Sequence, residues 1–263
     1  MSTQPTPHFQ LSDGKEIKMY FGLLNRLAKL IGGVNTVALV LTDINVQDGK
    51  QVVKECKNEA LFFEQDVSQE NSWSDLIKTT ISEFGKLDVL VNNAGIGAMG
   101  RFDESAESRL RKVFEVNFFA IAEMIRVSLP RLKQGHSPLI VNMSSVLAHR
   151  ATPLKSEYCA SKFALHGFSD ALRAELANDS IDLLLVSPST TDSEFFDHAI
   201  EDTTGKNWKT RGAMPPSIVA SKTIRAMKKG KHEIILTHGG RLIVWMDRLI
   251  PGVANRIMAR YGQ

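Results

Sequence analysis

Tyr158 and Lys162 stand four residues apart in the run Tyr158-Cys159-Ala160-Ser161-Lys162, and on a helix that spacing brings two side chains to one face. An ammonium beside a phenol stabilises the phenolate and lowers a pKa that is ordinarily about 10. A tyrosine tuned in this way can give or take the proton that accompanies hydride transfer. Taken alone, the five residues fit a surface helix with an unrelated tyrosine and lysine equally well. Three further groups bear on the choice. Ser145 closes the run Val141-Asn142-Met143-Ser144-Ser145, where a hydroxyl at a strand's carboxyl end can hold a substrate oxygen. Leu90-Val91-Asn92-Asn93-Ala94-Gly95 sets a small polar turn after another apolar run; its glycine admits close backbone approach and its asparagines can tie strands together. Asn117 lies in the otherwise apolar stretch Val113 to Ile121. An amide there needs a partner, and a core hydrogen bond or a relay water would serve equally.

The elements that must position these residues follow from the pattern of the chain. Apolar, β-branched runs predict strands at Val37–Thr42, Leu61–Phe63, Leu87–Val91, Pro138–Met143, Ile181–Val186 and Glu233–Leu236. Amphipathic stretches predict helices over about Asp48–Glu59, Ser72–Phe84, Glu104–Leu132 and Glu157–Asn178. Short buried strands alternating with helices specify an α/β fold with a parallel sheet covered on both faces. Such sheets bind ligands at the carboxyl ends of their strands. That is where the chemistry-bearing residues fall.

Composition narrows the field. The 263 residues, 43% of them hydrophobic, fit one large domain with a substantial core. A net charge of +3 with scattered basic residues does not describe a nucleic-acid surface. Two distant cysteines, Cys56 and Cys159, show no metal-ligand spacing, and no metal is expected. The polar residues 1–15 read as a tail without the apolar core of a secretory leader, which makes the cytoplasm the expected compartment. Residues 239–263 read as two short amphipathic helices with basic edges. Packing on the domain, a dimer surface, or contact with a membrane interface are the roles open to them, the last the least common.

The Asn-Asn-Ala-Gly turn, the helix asparagine, the serine and the Tyr-x-x-x-Lys pair, in this order and spacing, resemble the short-chain dehydrogenase/reductase (SDR) family from about Val37 to Leu236. The resemblance implies a Rossmann-like, doubly wound parallel sheet of six or seven strands in a single domain, here residues 16–238. It implies an NAD(P)-dependent enzyme interconverting an alcohol and a carbonyl. Tyr158 would be the general acid/base, Lys162 its electrostatic partner and a ribose ligand, Ser145 the carbonyl orienter, and Asn117 the holder of a relay water. Asp43, at the end of the Val37–Thr42 strand, would meet the adenosine ribose. A carboxylate there repels a 2′-phosphate and so favours NAD, with NADP possible; an ordinary helix N-cap is the alternative for an Asx residue in this place. Asp66 and Val67 match the adenine-contacting pair, and Asn93, Ala94 and Gly95 the turn beneath the cofactor. Pro188 and Thr191 match the loop over the nicotinamide, with Ser189 where the family has glycine. Residues 193–214 fall at the substrate lid, and Phe195, Phe196 and Trp208 would meet an apolar substrate or pack the lid. The long helices Glu104–Leu132 and Glu157–Asn178 would form a homodimer or homotetramer.

One part of the pattern is broken. The family's Thr-Gly-x-x-x-Gly-x-Gly turn would receive the pyrophosphate at a helix amino end. With Gly22 at its middle glycine, Lys18 and Leu24 occupy the other two places. A helix pattern over Phe21–Ile31 survives, but Leu11–Ile17 is a poor buried strand. An SDR-like binding or regulatory module with weakened cofactor binding is therefore the alternative to an active enzyme.

Overall fold

The computed structural model describes residues 38–56, 59–69, 72–192, 195, 199–200 and 213–261. Within them, strands and helices alternate. β1 (Leu39–Asp43), α1 (Val46–Glu55) and β2 (Ala60–Glu64) come first, then α2 (Ser72–Phe84) and β3 (Val89–Asn92). A long helical segment follows: α3 (Glu107–Phe114), a π-helical turn (Glu115–Phe119) and α4 (Ala120–Leu132). β4 (Leu139–Met143), α5 (Ser156–Glu175) and β5 (Asp182–Ser187) make the next unit. α6 (Pro216–Met227), β6 (Glu233–Ile235), α7 (His238–Leu249) and α8 (Pro251–Tyr261) complete the order. The strands and long helices fall where the sequence pattern placed them. α6 was not expected, although Pro216 at its first turn and the apolar spacing of Val219, Ala220, Thr223 and Ala226 announce it.

Every pairing is parallel, as expected for strands joined by helical crossovers. β3, β4, β5 and β6 form one ladder in that order, and β1 pairs with β2 in a second. The chain thus winds outward in two directions from the gap between β1 and β3. Alternation along β4 and β5 explains why these runs are apolar at nearly every position. Ile140 and Leu183 face a cluster with Ile121, Ile125, Leu165 and Leu172 of α4 and α5. Val141 and Leu184 face the opposite layer, with Val219 and Ala220 of α6. Both faces are buried, so neither can be polar.

No ladder joins β1 to β3 among the described residues. A cavity of about 640 Å³ lies between them, lined by β1, β3, α2 and α4 through residues such as Leu39, Leu41, Leu76, Val91 and Met124. The described strands are all parallel and covered by helices on both faces, as the doubly wound α/β expectation requires. Trp73, Leu76, Ala120 and Met124 pack with Val40, Phe63 and Leu90, so α2 and α4 share one core with β1, β2 and β3. The weak strand pattern at Leu11–Ile17 and the glycine-poor turn lie outside the described residues.

Candidate active site

The candidate residues lie at the carboxyl ends of β1 to β5, on α5 and in the π-helical turn. α5 carries Tyr158 and Lys162 one turn apart. Lys162 is buried and its Nζ donates to the carbonyl of Met143, the last residue of β4, at 2.9 Å. The same Nζ lies 5.8 Å from the centre of the Tyr158 ring. Burial alone pushes the Lys162 ammonium down to about 8, because leaving water penalises the charged form. The phenol ring packs edge-on against Phe195 at 5.5 Å. Phe196 and Trp208 lie outside the described residues.

Ser145 sits just past β4 and caps the 3-10 turn Val146–Ala148. Its Oγ accepts from the Leu147 amide at 3.1 Å, which occupies a lone pair and leaves the hydroxyl proton for another acceptor. Neighbouring Ser144 has a buried Oγ with no hydrogen-bond partner among the described residues. Beyond β3, the Asn93-Ala94-Gly95 turn passes close beneath Lys162. A Cβ on Gly95 would lie in ordinary contact, 3.6 Å, with Lys162 Nζ and tightly, 3.2 Å, against Asn117 Oδ1, which would have to shift by a few tenths of an ångström.

Asn117 occupies the π-helical turn and is fully buried. Its Oδ1 accepts from the Ile96 amide at 2.8 Å, and its Nδ2 donates to the Ile96 carbonyl and to Ser161 Oγ, each at 3.0 Å. Ser161 Oγ in turn donates to the Tyr158 carbonyl at 2.8 Å. Both amide protons are used, so this side chain braces the turn after β3 against the helix of Tyr158. The asparagines at the end of β3 and in β4 do tie the two strands, Asn92 donating to Asn142 at 2.8 Å, and Asn142 also donates to Ser169 of α5 at 3.0 Å.

Asp43 closes β1, buried, with its Oδ1 accepting from the Asn45 amide at 2.8 Å. The N-cap of α1 is Asn45, whose own oxygen accepts from Asp48, so Asp43 is not that helix's cap. Burial raises the Asp43 carboxyl to about 6 against the pull of two backbone amides. Asp66 turns its Oδ1 to the amide and hydroxyl of Ser68, and the Val67 carbonyl accepts from the Trp73 indole. The Pro188 carbonyl accepts from the Val146 amide at 2.9 Å, joining the loop after β5 to the turn that Ser145 caps. Thr191 is buried in the same loop and bridges to Met214.

Two groups near the site were not found from the sequence. Arg109 of α3 and Glu157, adjacent to Tyr158, form an ion pair at 2.6 Å with both side chains essentially inaccessible. Arg109 also reaches the carbonyls of Met99 and Arg101, and Ser156 donates to Glu157. Their separation of 48 positions hides the pair from any local pattern. His149, His166 and Glu233 make a second cluster, with His149 Nε2 at 3.0 Å from Glu233 Oε1. The hydrogen bond from His149 holds the Glu233 carboxyl below its ordinary range. The chemistry of that trio suits a metal ion, its ligand atoms lying within 4.8 Å of one another.

Comparison with known proteins places the chain in a family. Residues 26–204 match the short chain dehydrogenase family. The chain is 31% identical over 185 residues to the diacetyl reductase, (S)-acetoin forming, of Staphylococcus epidermidis, covering 69% of this chain and 70% of that one. It is 25% identical over 232 residues to the oxidoreductase YxnA of Bacillus subtilis, covering 87% of this chain but only 65% of that relative's length. Among solved structures, a short chain dehydrogenase/reductase from Burkholderia phymatum, crystallised with NAD, superposes with a TM-score of 0.79 at 23% identity over 89% of this chain and 91% of that one. The sheet order, the helices on both faces and a family match over most of its length together make this chain a member of the short-chain dehydrogenase family, a family of oxidoreductases.

Proposed function

We propose that the chain is a nicotinamide-dependent oxidoreductase that interconverts an alcohol and a carbonyl, with Tyr158 as general acid/base. The observation that carries this reading is the placement of Lys162: a buried ammonium at the Tyr158 ring, anchored on the last carbonyl of β4. A positive charge held there stabilises a phenolate more than a phenol, so the tyrosine can exchange its proton nearer neutrality. Ser145, its lone pair engaged by Leu147, is set to donate its proton to the substrate oxygen. In the reductive direction Tyr158 gives its proton to the same oxygen, and in the oxidative direction it takes that proton back. Asn117 keeps the Gly95 turn and the Tyr158 helix in register; a relay water, if used, would sit at its oxygen.

The described residues fit a nicotinamide dinucleotide. The Asp43 carboxylate offers acceptors to ribose hydroxyls, the Gly95 turn sets its backbone close to Lys162 and Asn117, and the orphaned Ser144 hydroxyl marks unused polar capacity. Asp43, Asp66, Val67, Asn93, Ala94, Gly95, Pro188 and Thr191 would hold it, with Lys162 reaching the nearer ribose. When bound, the nicotinamide supplies or accepts the hydride. NAD is favoured over NADP because a 2′-phosphate would meet the Asp43 charge.

Titration with NADH and NADPH, followed by nicotinamide fluorescence, tests the reading. Saturable binding, tighter for NADH, is expected, and Tyr158→Phe should retain it while turnover of ketones or alcohols falls by about 100- to 10,000-fold. The alternative is a binding module, favoured by Lys18 and Leu24 at the places of two phosphate-turn glycines. Failure to bind either nucleotide at millimolar concentration would establish that alternative. Phe119 of the π turn and Phe163 of α5 are each nearly half exposed, and they supply the apolar face through which two copies would pair.

A further inference from the structure

The two carboxyl-terminal helices carry more exposed apolar surface than their packing on the domain explains. α7 buries Gly240 and Val244, and α8 buries Ala254. On the outer side Leu242, Trp245 and Leu249 are exposed by 68, 61 and 71%, followed by Ile250, Val253 and Ile257. Positions 242, 245 and 249 share one stripe of α7, and 253 and 257 share one stripe of α8. Arginines border both stripes: Arg241 and Arg248 lie one helical step to the side on α7, Arg256 and Arg260 on α8. The one acid between His238 and Tyr261 is Asp247, and it is turned inward to Arg150 at 2.6 Å.

We propose that the α7–α8 pair is a peripheral docking surface for anionic lipid membranes. The charge selects this occupant. A second copy presenting the same face would set arginine against arginine, whereas an anionic headgroup layer supplies both countercharge and an apolar interior for the stripe. Trp245 between two leucines, with arginines at the edge, is the pattern of a side chain lying at headgroup depth. The helices lie on such a surface and do not enter it end-on, since no helix among the described residues is long and apolar enough to cross a membrane. The pair is also rigidly joined to the body. Gly240 packs against Val146 in the turn that Ser145 caps, close enough that a Cβ there would fall 2.8 Å from the valine. Arg150, just beyond that turn, bridges Asp247 of α7 and Asn255 of α8. Docking would therefore seat the membrane beside the Ser145 loop.

The test is sedimentation of the full chain with phosphatidylcholine vesicles, with and without about one-third phosphatidylserine. Binding to the phosphatidylserine vesicles is expected, with a blue shift of Trp245 emission. It should weaken severalfold as salt shortens the screening length from about 10 Å at 0.1 M to about 3 Å at 1 M. The variant L242S/L249S alters only exposed positions, and far-UV circular dichroism checks its fold; its vesicle affinity should fall by about tenfold or more. Arg248→Glu with Arg256→Glu should lose the preference for phosphatidylserine. Absence of sedimentation with phosphatidylserine vesicles, or binding undiminished in L242S/L249S, overturns the proposal. So does a result in which L242S/L249S lowers the chain's mass by light scattering while vesicles bind neither form, since the occupant is then a second copy.

Discussion

Lys162 holds its proton only below about 8 once buried. Its support for the Tyr158 phenolate should therefore fade as pH rises through that value, giving kcat/KM an alkaline limb near 8 with saturating cofactor. Lys162→Met should abolish the limb and lower the rate at neutral pH by about 100-fold or more; a limb unchanged in that variant would assign it to another group. Asp43 behaves oppositely. Its folded pKa, about 6, lies above the ordinary 3.8, so burial of the charge costs stability above about 6, and that cost disappears as pH falls toward 4. Asp43→Asn keeps an acceptor for the Asn45 amide and removes the charge. It should stabilise the fold at pH 7 by on the order of 1–3 kcal/mol in urea unfolding while weakening NADH binding and narrowing the preference over NADPH.

At the scale of elements, the helix of Tyr158 is held at its amino end by the buried Arg109–Glu157 pair. Removing one partner leaves the other charged and dry, so Glu157→Met or Arg109→Met alone should cost about 3–5 kcal/mol in urea unfolding. The double variant Arg109→Met/Glu157→Met should recover part of that loss. Simple additivity of the two singles would show that the charges do not depend on each other. The π turn at Glu115–Phe119 has a comparable role, since it places Asn117 between Ile96 and Ser161. A sequence pattern can indicate that an amide lies in an apolar helix. It cannot indicate that the helix widens there to aim it.

For the whole molecule, α2 and α4 pack against β1, β2 and β3 alike, beside the cavity lined by β1 and β3. The cavity is lined in part by Asp43 and Asn93, whereas Tyr158, Lys162 and Ser145 are not among its lining residues. The proposed pairing of two copies belongs to this scale too. Phe119→Glu with Phe163→Glu should shift the light-scattering mass from a dimer to a monomer, because charges replace exposed rings of the proposed face. An unchanged mass would move the interface elsewhere.

The sequence alone determined the alternation of strands and helices, because each buried run needs a helix to cover it, and the spacing of Tyr158 and Lys162, because one helical turn is a local matter. It also placed Ser145 and Gly95 at strand ends, where a parallel sheet collects its ligands. Only the tertiary structure decided that Asn45 and not Asp43 caps α1, that Asn117 spends both amide protons on a brace, and that Glu157 meets Arg109. It alone showed which faces of α7 and α8 stay uncovered. The physical reason is range: periodicity and propensity act over a few residues, whereas burial, charge pairing and hydrogen-bond satisfaction depend on segments brought together from distant parts of the chain.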